Sequence, residues 1–134
     1  MAQLTETITR KDQKVQARPN LDQWRAAHAW KCVQGCNDDY INLAKAAPAL
    51  IMNNGLMQVL AFYQSKGKAH HIALGKHIRE WLVLRFPAQR LNAGYADVMQ
   101  SLFDSQTPRF YQEATDETLL LLRWIRQFAA ANNS

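Results

Sequence analysis

The stretch TPRFYQEATDETLLLLRWIRQFAA, residues 107–130, decides the fold class. Thr107-Pro108 reads as an N-cap followed by proline at the first helical position, where its missing N–H costs nothing. From there Phe110, Ala114, Leu121, Ile125 and Phe128 form one stripe at helical spacing, flanked by Tyr111, Thr118, Leu122 and Ala129. Leu119 and Leu120 fall outside the stripe, among Asp116, Arg123 and Arg126. Two adjacent leucines there are either contacts to a second packed helix or a surface for a partner.

Upstream of this helix the pattern stays helical. Asn20 or Asp22 can cap a helix from about Leu21 to Val33, which Gly35 and Asn37 interrupt. A second helix is expected from Asp38 to about Ile51, its two aspartates favouring the positive N-terminus. Pro48 lies inside and is expected to kink or divide it. Asn53-Asn54-Gly55 is a stop signal. In the third helix, Leu56 to Lys66, apolar residues surround the axis, which predicts burial at the centre of a bundle. A fourth helix runs from about Ala69 to Phe86, ended by Pro87, and a short one from about Tyr95 to Phe103. No segment alternates with period two between turns. The expected architecture is all-α: a single-domain bundle of five to seven helices over residues 21–134, preceded by a flexible basic tail, residues 1–20.

Composition narrows the function. No apolar run approaches the ~18 residues of a membrane span, so no membrane partner is expected. The first twenty residues lack the apolar core of a secretory signal, and two cysteines make no disulfide framework; the expected location is cytoplasmic. Cys32 and Cys36, with His28, could form one row on a helix, but a fourth metal ligand is not evident and free buried thiols are the better reading. His70, His71, His77 and Glu80 share a helix without the Glu-x-x-His pairs of bundle metal sites. There is no nucleophile elbow and no phosphate-cradling glycine loop, and the carboxylates read as capping and surface groups. Neither a catalytic centre, a metal nor a cofactor is expected.

The charge is distributed unevenly. The net charge is +5, and residues 62–90 alone carry +5, while residues 91–134 carry −2. Lys66 and Lys68 flank Gly67 at a helix junction, and Lys76 and Arg79 share a helix face with Lys68. Such a row suits phosphates along a strand, held without reading sequence and weakened by salt. Tyr63 beside it is either a stacking surface or core. The basic and acidic segments also suit head-to-tail contact between copies.

A resemblance adds to this reading. Tyr40-Ile41-Asn42-Leu43-Ala44-Lys45, Pro48-Ala49-Leu50-Ile51, Asn54-Gly55-Leu56, Leu60-Ala61-Phe62 and Ser65-Lys66 resemble the small helical subunit of the type III-B CRISPR effector, the Cmr complex. Arg25-Ala26, Ala29, Tyr111, Ala114-Thr115, Glu117 and Leu121-Leu122-Arg123-Trp124-Ile125 fit the same pattern, which spans about Trp24 to Ala130. Gln112 stands where that family has an arginine, and residues 1–20 are an addition to the pattern. The resemblance implies a non-catalytic subunit whose copies stack into a filament beside the crRNA-bearing backbone subunits, touch the large subunit at one end and line the path of the target RNA. Lys66, Lys68, Lys76 and Arg79 are then the expected RNA contacts, and Leu119 and Leu120 the expected partner contacts. The alternative is a structural spacer that never touches RNA.

Overall fold

The structure is a computed structural model and describes residues 20–104 and 106–132. The expected tail, residues 1–20, lies outside the described residues except for Asn20. Six α-helices follow in order: α1 Leu21–Cys32, α2 Asp38–Asn54, α3 Leu56–Lys66, α4 Ala69–Arg85, α5 Tyr95–Phe103 and α6 Pro108–Asn132, with a 3-10 turn at Pro87–Gln89. Among the described residues there is no strand. The all-α reading stands.

Local chemistry sets the boundaries. Asn20 caps α1 through a reciprocal pair: Gln23 N donates to Asn20 Oδ1 and Asn20 N donates to Gln23 Oε1, both at 2.8 Å. Asn37, rather than the aspartates after it, caps α2 by accepting from Tyr40 N at 3.0 Å. Gly67 ends α3 in the left-handed region, at φ 69°. Gly55 joins α2 to α3 at φ 88°, ψ 154°, a conformation open essentially to glycine alone.

The 25 residues of α6 make a rod about 38 Å long. It packs against α1, α2, α4 and α5, while α3 closes the bundle against α2, α4 and α5. Ala29, Ala44, Ala47, Ala114 and Ala129 are wholly buried, and their short side chains let the helices approach closely. Between them sit Trp81, Leu74, Ile78, Leu82, Leu56, Leu60, Leu121, Leu122 and Ile125, all buried. Each contributes about 1.5–3 kcal/mol by leaving water.

Two expectations meet a different structure. Pro48 does not divide α2, one of the two outcomes expected of it; the helix runs unbroken to Asn54. The buried positions Tyr40, Ile41, Ala44, Ala47 and Ile51 keep one helical phase across the proline, so packing on both sides offsets the lost backbone bond. And α3 is not buried all round. Leu56, Val59, Leu60 and Tyr63 face inward, but Phe62 lies off that stripe and is 47% exposed.

Candidate functional site

The four expected RNA contacts lie at the turn from α3 to α4 and on α4 itself. Lys66, Lys68 and Lys76 are exposed. Lys68 is the N-cap of α4 and makes no side-chain cap, so the first N–H groups of that helix stay open beside two ammonium groups. Lys76 follows about 12 Å further along the axis. Arg79 differs: it is half-buried, and its Nε donates to the Ala93 carbonyl at 2.7 Å, tying α4 to the chain that enters α5. Burial pulls its pKa below the ordinary arginine value. Three of the four expected contacts are thus exposed, and one donor of the fourth is committed to the fold.

Near this turn the rings of Phe62, Tyr63, His70 and His71 cluster. Phe62 stands almost perpendicular to His71, 5.9 Å between centroids and 85° between planes, and His70 lies 4.4 Å from His71. Burial lowers the His71 pKa, and the charges of His70, Lys66 and Lys68 lower it further, which registers the positive field of the turn. Tyr63 is 1% exposed and belongs to the core; the exposed ring is Phe62.

The described carboxylates are not all surface groups, which corrects the expectation. Glu117 is buried. Its Oε1 accepts from Arg25 Nε at 3.0 Å and from Trp81 Nε1 at 3.2 Å. Its Oε2 accepts from Arg25 Nη2 at 2.7 Å, and Arg85 Nε lies 3.1 Å from it. Burial alone would raise this carboxyl; the hydrogen bonds from Arg25 and Trp81 and the Arg25 charge outweigh it and hold the pKa below the ordinary carboxylate value. With three hydrogen bonds and the Arg85 guanidinium beside it, the carboxylate works as a tie between α1, α4 and α6. Its sequence signal was its register: position 117 lies three residues after Ala114 and four before Leu121, inside the core stripe.

His28, His77 and Tyr40 form a second polar chain, between α1, α2 and α4. His28 Nε2 lies 3.0 Å from the His77 carbonyl, and His77 Nδ1 lies 2.7 Å from Tyr40 Oη. Cys32 and Cys36 are free thiols. Burial pushes the Cys32 pKa up to about 12, so it stays protonated at neutral pH. Among the described residues no three His, Cys, Asp or Glu side chains converge as metal ligands. Leu119 is half-buried and packs against the core. Leu120 is half-buried and lines a surface recess with Asp22, Arg123, Trp124 and Gln127. No helix of the described chain is long and apolar enough to cross a membrane.

Comparison with known proteins matches the sequence of this bundle to one family. The family model for CRISPR-associated protein (Cas_Cmr5) matches residues 21–132, the span of all six helices. The chain is 30% identical over 95 residues, 69% of its length and 74% of the relative's, to the CRISPR system Cmr subunit Cmr5 of Thermus thermophilus. Arg25, Glu117 and Tyr111, which fitted the family pattern in sequence, lie at the buried tie and at the α2–α3 junction, where Met57 N donates to Tyr111 Oη at 3.4 Å. A bundle built on these contacts, matched over its whole helical length, belongs to the Cas_Cmr5 family of CRISPR-associated proteins.

Proposed function

We propose that this chain is a non-catalytic small subunit of a type III-B CRISPR effector, the Cmr complex, and that it helps to hold target RNA through a basic face. The observation that carries the reading is the family match across residues 21–132, together with the Cmr subunit from Thermus thermophilus. In the complex, copies stack head to tail beside the crRNA-bearing backbone subunits and meet the large subunit at one end. The basic turn of one copy and the acidic C-terminal third of the next give that stacking an electrostatic component. Leu120 and the exposed Trp24, Trp30 and Leu84 supply apolar contacts to partners.

RNA contact falls to Lys66, Lys68 and Lys76, with the remaining donors of Arg79. Guide pairing reads the sequence in such machines, so the protein need only hold backbone; the principle is known for guided DNA recognition and carries over to RNA. Triple charge reversal, Lys66→Glu with Lys68→Glu and Lys76→Glu, is expected to weaken target capture by the assembled complex across unrelated RNA sequences. It should also shrink the log–log salt slope by about 2, near 0.7 for each phosphate no longer neutralised. Unchanged capture with the variant still incorporated would overturn the RNA contact.

The exposed apolar side chains specifically favour one second reading, a spacer that touches only protein. Crosslinking target RNA in the complex separates the two, since a spacer leaves this chain unlabelled.

A further inference from the structure

Between the C-terminal turns of α2 and the outer side of α3 lies a recess of about 260 Å³, lined by Leu50, Asn54, Gln58, Val59 and Phe62. We propose that it seats one unpaired nucleobase of the RNA strand whose backbone Lys66 and Lys68 hold. This rests on the RNA-binding reading above and adds to it a base site.

Four observations on the recess agree. Its floor is apolar, Leu50 and the buried Val59, and its wall is an aromatic ring, the combination that takes a flat ring system. Phe62 is 47% exposed although apolar, and its ring is fixed from behind by His71 and by Tyr63, whose centroid lies 6.1 Å away. Two amides sit on the rim. Asn54 Nδ2 gives one bond to the Leu50 carbonyl at 3.2 Å and keeps its oxygen, and Gln58 is exposed. Amide side chains of this kind pair with base edges.

The fourth observation is the register of α3. Gln58, Phe62 and Lys66 stand four residues apart, so amide, ring and ammonium form one row along the helix with ~5–6 Å between neighbours. A nucleotide offers the same succession of base edge, base face and phosphate. Charge agrees with an anionic strand: α3 has no acidic residue, and the acids of α2, Asp38 and Asp39, are at its opposite end. A protein partner fits less well, because a recess that admits one ring is far from the roughly 800 Å² per partner of a stable interface.

The test compares two probes on the full chain at low salt, an oligoadenylate and an abasic ribose-phosphate strand of equal length. The expected result is that the wild type prefers the base-bearing strand about tenfold, the scale of one base–aromatic stack. Phe62→Ala and Phe62→Leu are expected to erase that preference, Phe62→Trp to keep it, and all three to keep the wild-type salt slope. Phe62→Leu preserves apolar packing, so its result stands even where the alanine variant folds poorly. Equal binding of both probes by the wild type, with a normal salt slope, would overturn the base site and leave the backbone contact standing. No binding of either probe would overturn both. Loss of copy-to-copy association in Phe62→Leu, with the base preference unchanged, would assign the recess to protein and overturn the proposal.

Discussion

Replacing Glu117 by Gln keeps the shape of the side chain and removes its charge, which isolates what the buried tie contributes. The Arg25 guanidinium, itself buried, would then face an amide that can neither neutralise it nor accept from it at both ends. Breaking one side of a buried pair typically costs about 3–5 kcal/mol. Asp22→Asn is the control at the same helix: its carboxylate is exposed, 3.4 Å from Arg25 Nη1, and such solvent-screened pairs contribute little. Urea unfolding of the two variants should therefore differ by at least 2 kcal/mol or so; equal costs would show that Glu117 is no more than a surface ion. The tie was only half legible in the sequence. Position 117 sits on the core stripe, but a glutamate there reads as an error in the pattern until Arg25, 92 residues away, is brought beside it.

At the scale of elements, the α2–α3 junction depends on one glycine. Gly55 combines φ 88° with a neighbour that leaves no space: a Cβ there would lie 2.9 Å from Tyr111 Oη. Gly55→Ala is expected to destabilise the fold by about 1–3 kcal/mol through backbone strain. The added variant Tyr111→Phe should recover only the part due to the hydroxyl contact, as read by thermal or urea unfolding. Full recovery would mean the backbone was never strained. The stop signal was legible from Asn53-Asn54-Gly55, as were the starts of α1 and α4, because caps and glycines act over a few residues. That Pro48 would not divide α2 was not legible, since its local penalty is set against the packing of Ala44, Ala47 and Ile51, which only the folded bundle reveals. Phe62 misled for the reverse reason. An apolar residue in an apolar helix gives no local sign of which side the other helices cover.

For the molecule as a whole, the basic cluster was legible as composition, while the division of labour inside it was not: Arg79 is drawn to the Ala93 carbonyl, 14 residues away, and Arg85 to Glu117. The same folding that sorts the cations also buries imidazoles, and this sets how stability responds to acid. His28 sits against Trp81 and between α1 and α4; burial lowers its pKa more than the bond to the His77 carbonyl and the charge of Glu80 raise it, and Lys31 adds to the lowering. His77 behaves alike, lowered first by burial and then by His28 and Lys76 against Glu80, and His71 is lowered by burial and the Lys66–Lys68 turn. The folded state therefore refuses protons that the unfolded chain accepts below its ordinary value of about 6.5. Stability contributed by these groups is complete above that pH and declines as pH falls towards the depressed folded values. The limiting slope is about 1.4 kcal/mol per pH unit for each imidazole. Glu117 acts later and with the same sign: its folded pKa is depressed, so its contribution is present above the ordinary carboxylate range, near 4.3, and is lost as pH falls through the folded value. Urea unfolding from pH 8 to pH 3 should thus be level to about pH 7 and then fall in two stages. In the double variant His28→Gln, His77→Gln the first stage should shrink to the share of His71, with the second unchanged. A wild-type curve flat between pH 7 and pH 5 would mean that these imidazoles take up protons in the bundle as freely as in water, and that the α1–α4 interface is open to solvent.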